Sequence, residues 1–429
     1  MRKSYLLLAL VFVGCSSAYE INEVETARIL QTLSADDMAG RRVNTPGIEK
    51  AAEFIANEFK SIGLETLKSE ESYMQEFKVF SKSLGSAKII INNVDVPPTS
   101  YFMKLSTPSI TWTDSNIPEI VFISAEEDFR TSIRQGFRGT NDLLVVVSTA
   151  HTSMFNMYRS HYSKPNLSYE NNKSERPNVV VVLGDDTRFE NLFIDAAMDV
   201  EEVLLNNVVG VIEGKKSDEI VLFSAHYDHL GVSDAYEGDS IYNGANDDAS
   251  GVTAVIELAR YFKTREAPDR TLIFAAFTGE EVGVFGSKYF STQVDSDKIM
   301  AMLNIEMIGK PSKKGLNSAW MTGWERSDLG EILQNNLSEV DFNFFPDPYP
   351  EENLFYRSDN APLARLGVPA HSITTTQIDI DEDYHQLSDE ASTLNITNIA
   401  NTIKAIAIGA QGIVDGTQTP TRINSDEVN

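Results

Sequence analysis

The segment His226-Tyr227-Asp228-His229 sets two imidazoles and a carboxylate within one short stretch. On a strand, residues i and i+2 point to the same side. Asp228 can therefore stand beside His226, hydrogen-bond its ring and aim the other ring nitrogen at a metal ion. Further acids follow in short clusters: Asp247-Asp248 inside Asn243-Gly-Ala-Asn-Asp-Asp-Ala-Ser-Gly251, then Glu280-Glu281, then Glu306. His385 lies in Asp383-Tyr-His-Gln386. Two adjacent acids at a buried strand end are costly unless positive charge lies between them. Taken singly, each cluster has a plainer structural reading; Asp248 or Ser250, for example, could cap a helix. Together they place two of only six histidines beside acids at successive strand ends. Imidazole nitrogen and carboxylate oxygen without thiolate suit zinc, with cobalt or manganese as substitutes. The carboxylates of Asp247, Glu281 and Glu306 with one hydroxide would balance the charge of two divalent ions.

The elements that must position these groups can be read from hydropathy. Ile220 to Ala225, Leu272 to Phe277, Met300 to Leu303 and Ala370 to Thr374 are continuous apolar runs of strand length. Between the first two, Val252, Val255, Ile256, Ala259 and Phe262 form a helix face, and Ile396, Ile399, Ile403, Ile406 and Ala410 form another. Continuous apolar strands interleaved with helices predict an α/β fold with a mainly parallel central sheet flanked by helices. The catalytic groups then fall where the strands run out, the usual place for sites in open α/β sheets. Earlier, Ile48, Ala51, Ala52, Ile55, Phe59 and Ile62 predict a helix entered at Pro46-Gly47 and ended by Gly63. Residues 76–204 read as a β-rich insertion of short strands (Lys88 to Ile91, Ile120 to Ile123, Leu143 to Val147, Val179 to Leu183), with Lys164 to Pro177 as an exposed loop. The remaining elements fall in 20–75 and 205–415, and 416–429 reads as a disordered polar tail.

Composition bounds the partners. A hydrophobic fraction of 42% with 23% charged residues is that of a globular chain rather than a fibrous or disordered one. A net charge of −27 repels phosphate backbones and argues against nucleic acid. The single cysteine, Cys15, excludes an internal disulfide framework and a cysteine-based zinc site. Arg2-Lys3, the apolar run from Tyr5 and Gly14-Cys15-Ser16-Ser17 have the layout of a secretory signal peptide over 1–15. The small residue before Cys15 is similar to a bacterial lipobox, which would place the protein at the envelope through a lipid anchor on Cys15, or free as a periplasmic or secreted protein.

The motifs SAHYDHLG, NGANDDASG, TGEEVGVFGS, NIEMIG and YHQLSDE, in this order, resemble the co-catalytic di-zinc exopeptidases of peptidase family M28. That family includes secreted bacterial aminopeptidases and glutamate carboxypeptidases. SADDMAGRRVNTPGIEKAAEFIANEFKSIGL and FYRSDNAPLARLGVPA are also similar to family segments, so the resemblance spans about 20–75 and 205–412. It implies that His226 and Glu306 bind one zinc, Glu281 and His385 the other, and Asp247 both. Glu280 would be the general base, passing a proton from zinc-bound water to the leaving amine, and Asp228 and Asp389 would support the ligands from behind. Two departures stand out: Glu306 replaces the usual Asp, and Asp248 replaces the common Asn. Arg357, Ser358 and Asp359, in the family-like stretch, and His229 are candidate substrate contacts. His371, inside an apolar strand, reads as a core residue, and His151 and His161 have no acid nearby in sequence. The insertion lies where many relatives carry a protease-associated domain.

The resulting expectation is an exported two-zinc exopeptidase acting on peptides as an aminopeptidase. The alternatives are a metallo-carboxypeptidase or dipeptidase on the same fold, and a non-catalytic binding protein of that scaffold. A one-zinc glutaminyl cyclase is disfavoured by retention of His226 and Glu306. Side-chain preference and oligomeric state are not written in the sequence.

Overall fold

The computed structural model describes residues 18–68, 70–169, 176–186, 188–233 and 238–428. The expected signal peptide and Cys15 lie outside the described residues. The chain divides into two compact units, Met1–Glu76 with Leu205–Asn429, and Phe77–Leu204.

The first unit is built on a mixed sheet. Its centre is parallel, in the order Ala370–Thr374, Ile299–Ile305, Lys216–His226, Arg270–Phe277. Every residue of Arg270–Phe277 and of Ala370–Thr374 is buried, which is why these segments read as unbroken apolar runs. The flanks reverse direction. Residues 208–212 of the strand Leu192–Ile212 pair antiparallel with Arg270–Phe277, and Ser318–Met321 pairs antiparallel with Ala370–Thr374. The mainly parallel expectation therefore holds for the central strands and stops at their neighbours.

The helix Ser250–Lys263 follows the strand Lys216–His226 and is packed by Glu23–Leu33, Pro46–Ile62 and Ile396–Gly409. Neighbours on several sides explain why all its residues from Ser250 to Ala259 are buried, beyond the single apolar face that the sequence showed. Pro46–Ile62 begins and ends as expected, Gly63 closing it in a left-handed conformation at φ 82°.

The C-terminal residues depart from expectation. Ile423 and Val428 are buried against Ile299, Met302, Val368 and Ala370. Arg422 donates to the carbonyls of Ile299 and Ser296, and the buried Arg270 guanidinium reaches the carbonyls of Ile413 and Gln418. Two widely spaced apolar residues and backbone acceptors hold the segment, and neither gives a periodic signal.

The second unit, expected to be β-rich, carries two helices besides its strands. Its sheet runs Tyr101–Lys104, Val179–Leu183, Leu143–Val147, Glu119–Ile123, the last three parallel. Two helices, Phe129–Arg138 and Thr152–Tyr162, accompany it. The first buries only Phe129, Ile133 and Phe137, one residue per turn among charges, and the second buries only Phe155. Stripes that thin fall below what periodicity resolves. Within the expected loop, Asn166–Ser168 forms a strand paired with Phe80–Lys82, and 170–175 lie outside the described residues.

Candidate active site

The parallel strands deliver their polar ends to one place. His226 is the last residue of its strand, Glu280 and Glu281 follow the end of Arg270–Phe277, and Glu306 follows Ile305 directly. Asp247 lies on the turn Ala245–Ala249 that enters the helix Ser250–Lys263, and His385 on the loop after Ala370–Thr374.

Asp247 stands between two histidines. Its Oδ1 lies 3.2 Å from His226 Nε2 and its Oδ2 lies 3.2 Å from His385 Nε2. His385 Nε2 is also 3.2 Å from Glu281 Oε2, whose other oxygen is 2.7 Å from His229 Nδ1. His226 Nδ1 faces the Asp228 backbone carbonyl at 3.2 Å. A carbonyl can only accept, so Nδ1 carries the hydrogen and the lone pair is left on Nε2. That buried Nε2 has no hydrogen-bond partner. A lone pair turned on a carboxylate oxygen at 3.2 Å is repulsive unless a second proton or a metal ion lies between them. The donor set, nitrogen and oxygen with no sulfur, fits a divalent ion such as zinc.

Charge points the same way. Asp228, Asp247, Asp248, Asp359 and Asp389 are buried, and Glu280, Glu281 and Glu306 are nearly so. Burial pushes Asp228 and Asp389 up to about 6 and Asp359 to about 7. Burial also drives Glu280 well above the usual carboxylate range; His226 opposes this, while Glu306, Asp359 and Glu281 add to it. Asp247 moves the opposite way: burial would raise it, but the His226 and His385 rings that face it hold it well below its ordinary value.

A layer of hydrogen bonds fixes the ligands from behind. Asp228 accepts the amide hydrogens of Glu280 at 3.1 Å and Glu281 at 3.3 Å. Its carboxylate therefore orients the acid pair, and its carbonyl, rather than its carboxylate, orients the His226 ring; the carboxylate stands 3.9 Å from Nδ1. Asp389 accepts from the amides of Asn246 and Asp247, and Asp248 from those of Gly251 and Met307. Asp248 thus caps the helix and also ties it to the Glu306 segment. Ser358 is buried, accepts from Asn304 at 2.8 Å and hydrogen-bonds the Glu306 carboxylate. Lys310 pairs with Asp381 and lies 2.6 Å from Asp383, clamping the loop that carries His385.

A cavity of about 330 Å³ opens onto Asp247, Glu280, Glu281, Glu306 and His385. Trp320, Tyr349, Leu354 and Tyr384 give it an apolar wall, and Arg357 lines it as well. Of the candidate substrate contacts, only Arg357 and Ser358 reach this cavity. Asp359 is fully buried, and His229 is buried against Glu281. His371 is a core residue as expected, bonded to the Thr322 carbonyl at 2.8 Å and to Ser327 at 2.7 Å.

Sequence reasoning assigned nothing to Arg41. Its completely buried guanidinium donates to the carbonyls of Tyr227, Leu33, Asn243 and Gly244 at 2.6–2.9 Å. It braces the turns that carry His226 and Asp247 and sets a permanent positive charge behind the acids. Its position inside the motif-like SADDMAGRR stretch was the one available signal.

Residues 207–408 match the family model for peptidase family M28. Among curated proteins, a probable zinc metalloprotease of Pyricularia oryzae is 40% identical over 110 residues, which is 25% of this chain and 22% of that protein. A probable zinc metalloprotease of Leptosphaeria maculans is 37% identical over 110 residues, 25% of each chain. The chain thus spans about a quarter of the length of these curated relatives. Over the whole fold, the chain is similar to the zinc aminopeptidase of Bacillus subtilis (TM-score 0.60, 15% identity, covering 95% of this chain and 99% of that one). It is also similar to an aminopeptidase from Aneurinibacillus sp. strain AM-1 (TM-score 0.58, 17% identity, 96% of each chain).

Proposed function

Because residues 207–408 match the family model for peptidase family M28, we propose that this chain is an exported two-zinc aminopeptidase that removes N-terminal residues from peptides. The observation that carries this reading is Asp247, each of whose oxygens faces a different histidine nitrogen at 3.2 Å. His226 and Glu306 would hold one ion, Glu281 and His385 the other, and Asp247 both. Bound zinc supplies a polarised scissile carbonyl and a water acidic enough to attack near neutral pH.

The remaining chemistry belongs to the chain. Glu280 sits beside the ligand Glu281 with its pKa raised by burial, so its carboxylate can take a proton from the attacking water and deliver it to the departing amine. Asp228 holds both amides of that acid pair and so fixes the direction of Glu280. Trp320, Tyr349, Leu354 and Tyr384 suit an apolar first side chain.

The test is zinc content of the purified chain lacking residues 1–17, paired with hydrolysis of aminoacyl chromogenic substrates. About two zinc per chain and chelator-sensitive release are expected. Two zinc without release would move the assignment to a carboxypeptidase or dipeptidase. No bound metal and no activity after zinc or cobalt is restored would favour a binding protein. Extraction into detergent, with loss of membrane association in Cys15→Ser, tests the lipid anchor.

A further inference from the structure

We propose that Arg357 binds a carboxylate of the substrate, so that the site selects short peptides carrying a carboxylate near the scissile bond. The proposal rests on the aminopeptidase reading for where the ammonium lies, and adds the group that reads the far end of the ligand.

Apart from His385, Arg357 is the only basic side chain among the residues that line the cavity. It has no structural employment that would explain it. Among the described residues its one ion pair is with Glu352 at 4.0 Å, with 53% and 58% of the two side chains exposed. A pair so long and so solvated contributes little. The cavity thus carries one guanidinium among the acids Asp247, Glu280, Glu281, Glu306, Glu352 and Asp379.

An arginine that lines the cavity and is only weakly paired is available to an anionic partner. Guanidinium offers a planar pair of donors that matches a carboxylate bidentately, and it stays charged at every relevant pH. A volume of about 330 Å³ accommodates a dipeptide-sized ligand, and Arg357 lines the same cavity as Glu280 and Glu281. An acidic side chain in the second position would present the same chemistry as a terminal carboxylate.

The experiment measures equilibrium binding to the zinc-loaded E280Q protein, whose turnover is suppressed, and to the E280Q/R357Q double variant. The ligands are Leu-Gly against Leu-Gly amide for the terminal carboxylate, and Leu-Asp amide against Leu-Asn amide for the side-chain carboxylate. One or both carboxylate ligands should bind about tenfold tighter than its neutral partner to E280Q, and R357Q should abolish that ratio while R357K restores part of it. The pair that shows the ratio identifies the source of the carboxylate. Equal binding of acid and neutral ligands, or a ratio unchanged by R357Q, overturns the proposal, as does absence of binding by all four. Failure of the aminopeptidase reading is seen separately, as absence of turnover by the protein with Glu280 intact.

Discussion

Asp389 holds Asp247 by its backbone: the Asp389 Oδ2 accepts the Asp247 amide hydrogen at 3.1 Å, from 142 residues further along the chain. The same carboxylate takes the Asn246 amide on its other oxygen at 2.8 Å. Asp247 can turn one oxygen to each histidine because its main chain is pinned in this way. Asp389→Ala should therefore weaken zinc binding by about 10–100-fold, measured by competition with a chelator. An unchanged zinc affinity would mean that the turn keeps its shape without Asp389.

Glu280→Gln removes the proton acceptor and leaves the ligand set untouched. We expect kcat to fall by about 10²–10⁴-fold with zinc content unchanged. Retained turnover would remove Glu280 from the general-base role, and lost zinc would make it a ligand instead.

The clamp at Lys310 predicts a positioning effect. With Lys310→Met, Asp381 and Asp383 face each other without the ammonium between them. The loop should loosen, His385 should stray, and kcat/KM should drop by about tenfold to a hundredfold. Zinc should titrate out at lower chelator concentration, and Lys310→Arg should recover part of both losses. A purely structural clamp would lower the melting temperature without moving the chelator midpoint.

Two buried groups far from the metal ligands give stability slopes of opposite sign. Burial lowers His371 to about 4, so the unfolded chain binds a proton below about 6.5 that the folded one refuses. Stability from His371 is complete above about 6.5 and lost as pH falls through 4, by about 3 kcal/mol over the full range. Burial raises Glu257 to about 7, so here the folded chain keeps a proton that the unfolded chain releases above about 4.5, and stability falls as pH climbs from there to 7. In urea denaturation, Glu257→Gln should gain on the parent with rising pH, by up to about 3 kcal/mol, and His371→Gln should lose less ground as pH falls. Parallel curves for parent and variant would contradict either assignment.

The central strands and the groups at their ends were legible because a fully buried parallel strand must be apolar and a polar residue at its end is conspicuous. His226, Glu280, Glu281 and Glu306 are all of this kind, and all meet at one cavity or directly behind it. Where a role runs through the backbone, the side chain alone is misleading. Asp228 stands where its carboxylate could have held the histidine ring, but the carbonyl does so. Ser358 and Asp359 lie in one motif-like stretch as candidate contacts, yet both are buried and Ser358 serves Glu306. The helices Phe129–Arg138 and Thr152–Tyr162 escaped because each buries so few side chains that its polar faces dominate the pattern.

The brace at Arg41 has a consequence for anyone who would trim this protein. The segment that carries the family match begins at residue 207, but four carbonyl groups of the turns and helix around the site are satisfied from Arg41, with Tyr227, Asn243 and Gly244 lying inside that segment. A fragment cut to the recognisable stretch would leave those oxygens dry and bare, and would remove the fixed cation that offsets the acids before any ion arrives. Fragment complementation gives the corollary: residues 18–68 supplied as a separate peptide should restore metal uptake to the trimmed piece, and the same peptide with Arg41→Met should not.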